Sequence, residues 1–97
     1  MTYRLEYIST FHTDVLNVVG NLEEYPKKAN RLFTKLDKIL NNLINMPELY
    51  PVYEEFPVFR KIVIEDYIAF YTINERDKLI EVHRLLYDRM DIPEQLM

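Results

Sequence analysis

Cysteine and tryptophan are absent from this 97-residue chain, and glycine occurs once, as Gly20. Without cysteine there is no disulfide framework and no thiolate metal site. A single glycine cannot build the glycine-rich loop that cradles phosphate groups, so nucleotide chemistry of that kind is excluded. No apolar run reaches the roughly 18 residues that a membrane span needs. Met1–Arg4 leads straight into alternating sequence with no apolar signal-peptide core, so a cytoplasmic protein is expected.

What is present is a chain 48% hydrophobic and 29% charged. This length suits one domain, spanning 1–97, with enough interior for one core. Net charge is −4 and uneven. Residues 1–46 carry six Lys/Arg against five Asp/Glu, whereas residues 47–97 carry six against eleven. An acidic chain neutralises few phosphates and makes a poor indiscriminate nucleic-acid binder.

Phe59–Asp91 organises the chain. Its apolar runs, Phe59–Ile64, Tyr67–Ile73 and Leu79–Tyr87, are rich in Ile, Val, Tyr and Phe and separated by short polar joints. That pattern predicts three antiparallel strands. Tyr3–Ile8 alternates and reads as an earlier strand. Ser9 or Thr10 then offers a side-chain cap, and Phe11, Val15, Val18, Val19 and Leu22 share one face of a helix over about Thr10–Glu23. Pro26 suits the first turn of a second helix. That helix carries Ala29, Leu32, Phe33, Leu36, Ile39, Leu40 and Leu43 and ends before Pro47. The proline-rich stretch 46–57 reads as a packed loop, and Glu94–Met97 as a tail of one helical turn. The fold class is α+β, in the order β-α-α-β-β-β, with a helix hairpin on one face of an antiparallel sheet.

In this order and spacing, several pieces resemble the RelE/ParE superfamily of bacterial toxins. They are Tyr3-x-Leu5-x-Tyr7, Phe11-x-x-Asp14-Val15, Met46-Pro47, Phe59-Arg60-Lys61-Ile62, Tyr67-Ile68-Ala69-Phe70-Tyr71 and Leu85-Leu86-Tyr87-Asp88-Arg89-Met90-Asp91. The resemblance implies an intracellular toxin neutralised by a cognate antitoxin, with no cofactor. It implies one of two actions. ParE-like members bind DNA gyrase without chemistry, and RelE-like members cut mRNA on the ribosome.

Cutting RNA by 2′-hydroxyl attack requires a base, cations on the charged phosphorane and an acid for the leaving oxygen. The resemblance places a nuclease arginine directly after Tyr67, and this chain has Ile68 there. Lys61, Tyr87 and Arg89 remain as catalytic candidates if the chain is a nuclease. Glu81 and His83 are further bases, although a lone mid-strand histidine is more often a packed residue. The basic stripe Lys27, Arg31, Lys35 and Lys38, with Arg60 and Arg84, supplies candidate binding cations. Such a stripe is also an ordinary solvated helix face. The balance favours a ParE-like binder. The alternatives are a ribosome-dependent nuclease and an inactive module that only binds antitoxin. The middle strand is apolar on both faces, so one face needs cover from the proline-rich loop, the tail or an antitoxin segment.

Overall fold

A computed structural model describes residues 2–96, and Met1 and Met97 lie outside it. The elements are β1 (Arg4–Tyr7), α1 (Ser9–Asn21), α2 (Pro26–Leu43), β2 (Arg60–Ile64), β3 (Tyr67–Asn74), β4 (Leu79–Tyr87) and α3 (Ile92–Leu96). The expected element order is present, and the C-terminal turn is a short helix that begins two residues early.

The three later strands form the expected antiparallel meander. Strand β1 adds to the far side of β4 and runs parallel to it, so the sheet order is β1-β4-β3-β2 and the whole sheet is mixed. Four residues of alternating sequence specify a strand but not its partner, which is why the pattern left β1 unplaced.

Both helices turn their apolar stripes onto one sheet face. Phe11 and Val18 of α1 and Leu32, Leu36, Leu40 and Leu43 of α2 bury against Ile62, Tyr71, Ile80 and Val82. Val15 is only half-buried, and Val19 faces solvent. Pro26 occupies the first turn of α2 as expected. The capping expectation for α1 fails. The cap residue is Ile8, with no side-chain cap hydrogen bond. Thr10 instead donates its hydroxyl to the carbonyl of His83, 2.8 Å away, because that strand carbonyl also needs a partner.

The second sheet face is covered by the chain itself. Phe70 and Leu86 pack with Ile92 of α3 and with Tyr53, Phe59, Ile68 and Leu96. The antitoxin segment expected on this face is therefore not needed to hide it; the proline-rich loop and α3 already do so. The loop is pinned twice. Tyr71, fully buried, donates its hydroxyl to Pro47 C=O at 2.7 Å, and Arg60 Nη1 donates to Tyr50 C=O at 2.7 Å.

Candidate functional site

The free side of β4 organises the surroundings of every candidate on the last strand. Strand β1 accompanies β4 only as far as Val82, whose carbonyl accepts Ile8 N–H at 2.9 Å. There β4 bulges. Phe70 pairs with Arg84 and Tyr71 with Val82, leaving His83 as the extra residue. A bulge bends the strand and changes which backbone groups face outward. Helix α1 takes over the partnering that β1 gives up. Thr10 bonds His83 C=O, and one turn later Asp14 Oδ2 accepts Leu85 N–H at 2.9 Å.

Asp14 is buried, and Arg84 meets it with two contacts, Nε to Oδ2 at 2.7 Å and Nη2 to Oδ1 at 3.1 Å. The Nη1 group of Arg84 donates to Gln95 C=O of α3 at 2.7 Å. Arg84, a candidate binding cation, thus spends its guanidinium inside the fold, joining α1, β4 and α3. Sequence reasoning gave Asp14 no role. The available signal was a carboxylate on the stripe of Phe11, Val15 and Val18, where an unpaired charge would be costly to bury.

The candidate nuclease residues do not converge. Residues paired directly across strands point to the same face. The row Lys61, Phe70, Arg84 belongs to the loop-covered face, and the row Ile64, Tyr67, Tyr87 to the helix face. Lys61 therefore projects on the side opposite Tyr87. Its ammonium lies 5.8 Å from the centroid of the Tyr53 ring. The Arg89 guanidinium lies 6.0 Å from the ring of Tyr87, which packs edge-on against Tyr67. Ile68, between Val63 and Leu86 in the ladders, packs into the apolar cluster under α3.

His83 is half-buried, with Nε2 at 2.9 Å from the Thr72 hydroxyl and Phe59 edge-on to its ring at 5.3 Å. Burial lowers its pKa, opposed in part by the charge of Glu81. That is the setting of a packed histidine rather than of an exposed general base.

Two members of the basic stripe have a carboxylate partner. Glu65, in the β2–β3 turn, lies 2.7 Å from Arg31 Nε and 3.4 Å from Lys35 Nζ. Both cations stay more than half exposed, and such pairs contribute at most about 1 kcal/mol. Lys27 and Lys38 are exposed on the same helix. Arg60 serves the loop, as described above. Among the described residues there is no group of three or more His, Asp or Glu able to hold a metal, and no helix is long and apolar enough to cross a membrane.

Residues 6–92 match the family model described as the ParE toxin of the type II toxin–antitoxin system parDE. No curated protein matches the chain. Among solved structures, the chromosomal ParDE toxin–antitoxin system of P. aeruginosa superposes with a TM-score of 0.71 at 15% identity, covering 89% of this chain and 96% of that one. The RelBE2 toxin–antitoxin complex of Mycobacterium tuberculosis gives 0.65 at 13% identity, with coverages of 90% and 99%. The DinJ–YafQ toxin–antitoxin complex of E. coli gives 0.60 at 21% identity, with coverages of 90% and 93%. At these identities the superpositions speak for the fold alone.

Proposed function

This chain belongs to the ParE toxin family of type II toxin–antitoxin systems, within the RelE/ParE superfamily, and from that premise we propose that it inhibits its target by binding, with DNA gyrase as that target and a cognate antitoxin as its restraint. The observation that carries the non-catalytic reading is the division of the nuclease candidates between two sheet faces. Lys61 and Tyr87 project in opposite directions, and Ile68, packed in an apolar cluster, stands where the resemblance places the nuclease arginine. Phosphoryl-transfer catalysis depends on several groups placed around one phosphate. A binding inhibitor needs only complementary surface, and the exposed cations of α2 supply one.

The test sets a gyrase supercoiling assay beside primer extension on translated mRNA. Inhibition of supercoiling, weakened about tenfold by Arg31→Glu with Lys35→Glu, is the expected result. Codon-phased cuts that disappear in Lys61→Ala and Arg89→Ala would overturn it in favour of a ribosome-dependent nuclease. Growth arrest on expression, relieved by the protein encoded alongside, tests the antitoxin pairing; absence of any growth effect would point to an inactive, antitoxin-binding module.

A further inference from the structure

Where β1 stops, the last third of β4 has no strand on its outer side. Leu85 N–H reaches Asp14 on that side, whereas Asp88 N–H reaches Asp66 C=O, just before β3. Strand alternation then sends both backbone groups of Leu85 and of Tyr87 toward α1. Two of these four groups are satisfied. Asp14 takes Leu85 N–H at 2.9 Å, and Met90 N–H donates to Tyr87 C=O at 3.1 Å. Leu85 C=O and Tyr87 N–H have no partner among the described residues. The cause lies in α1. Thr10, Asp14 and Val18 stand one turn apart, and only the first two carry a group that can serve the strand.

Backbone groups are rarely left without a partner in a folded chain, least of all at a residue as buried as Leu85. Both residues line an open cleft of about 340 Å³, within the range of small-ligand sites, together with Asn17, Val18, Asn21 and Met90. A parallel strand would meet the two groups with the N–H and C=O of one residue. There is no room for one. Asp14 closes one end of the gap, and the turn from Tyr87 to Met90 closes the other. The occupant must instead be a small molecule with one donor beside one acceptor.

We propose that this cleft binds the adenine ring of a free nucleotide, with Leu85 C=O accepting the amino N–H and Tyr87 N–H donating to the adjacent ring nitrogen. The pairing edge of adenine carries those two polar groups. The same edge of guanine, cytosine or uracil carries a third, which the strand would leave unpaired. The ring extends the plane of the sheet, with Tyr87 lining the cleft on the helix side and Leu86 on the opposite side. Asn17 and Asn21, exposed on successive turns of α1, offer amides to the ribose hydroxyls. The Arg89 guanidinium, 6.0 Å from the Tyr87 ring and without a carboxylate partner among the described residues, is the cation for the phosphate. The site is separate from the cations of α2 and does not depend on the choice of cellular target.

The test uses the ¹⁵N-labelled full chain and adenosine 5′-monophosphate. In the free chain Tyr87 N–H should exchange about tenfold or more faster than Leu85 N–H, which Asp14 holds. The nucleotide should shift the Tyr87 amide resonance saturably and slow its exchange. Two analogues each delete one hydrogen bond. Purine riboside 5′-monophosphate lacks the amino donor, and the 1-deaza analogue lacks the ring acceptor. Each should bind about tenfold more weakly, as should uridine 5′-monophosphate, because a backbone group stays unpaired. Arg89→Ala should weaken adenosine monophosphate about fivefold and leave adenosine unchanged. Asn17→Phe, at an exposed helix position, should fill the cleft and abolish binding. If that variant does not fold, the analogues carry the test. A Tyr87 amide protected in the free chain, or one that no nucleotide shifts, would overturn the proposal. Equal binding of the parent nucleotide and both analogues would overturn it too. Short oligoadenylate binding more tightly than the mononucleotide would assign the cleft to a nucleic-acid strand and overturn it likewise.

Discussion

Asp14 Oδ2 accepts two hydrogen bonds at once, from Arg84 Nε at 2.7 Å and from Leu85 N–H at 2.9 Å. One carboxylate thus neutralises a partly buried cation and completes the backbone of β4 where β1 has ended. Removing one member of such a pair costs about 3–5 kcal/mol, because the other charge is left uncompensated. Asp14→Ala should lower unfolding stability by about 3 kcal/mol. Asp14→Asn, which keeps an acceptor for Leu85 N–H, should cost less. Combining Asp14→Ala with Arg84→Met should recover part of the loss. Urea unfolding of the unaltered chain, Asp14→Ala, Arg84→Met and the double variant, read as a double-mutant cycle with Asp14→Asn measured beside it, checks this.

His83 sets a pH dependence. Its pKa is lowered in the folded chain by burial beside Phe59 and Thr72. The unfolded chain therefore binds the proton more readily. Stability is full above the ordinary histidine pKa of about 6.5 and falls as pH drops through that value. The urea midpoint should decline between pH 7.5 and pH 5.5, and His83→Gln should flatten that decline. An unchanged slope in the variant would show that other groups set it.

Installing the missing cation should not install catalysis. Ile68 packs with the apolar cluster that α3 closes over. Ile68→Arg places a charge among Phe70, Leu86 and Ile92, and should destabilise the fold by about 2 kcal/mol or more through its desolvation. It should loosen α3 without producing mRNA cleavage. A thermal melt and primer extension on the same preparation check both halves.

A more favourable change is available at Gly20, in the last turn of α1. A Cβ built there meets nothing within 4 Å. Gly20→Ala should raise stability by about 0.5–1 kcal/mol through the unfolded chain's lost freedom, less if the helix end frays. A shift of the urea midpoint to higher concentration with an unchanged slope is the expected signature.

The core of the fold was legible because periodicity reports burial. Leu32, Leu36 and Leu40 recur at helical spacing, and the opposed faces of β3 alternate, with Tyr67, Ala69 and Tyr71 on one and Ile68 and Phe70 on the other. What escaped were relationships between segments far apart in the chain. Arg84 looked like a free cation because its partner lies 70 residues away. Thr10 looked like a cap because its bond to His83 crosses 73 residues. The opposite projections of Lys61 and Tyr87 depend on a register that composition does not encode.

The unpaired residue at His83 acts as a half-step phase shift in the lattice of β4. Before it, even-numbered Ile80 and Val82 point to the helices; after it, odd-numbered Leu85 and Tyr87 do. Drawing that one residue into the ladder, rather than leaving it unpaired, would keep the topology legal and every ladder continuous, yet would exchange the inner and outer side chains of the strand's last third. Leu86 would turn toward the helices, Leu85 toward α3, and the Tyr87 ring would move to the opposite side of the sheet. Which surface the end of this chain displays is thus encoded in a count, odd or even, that no single side chain carries.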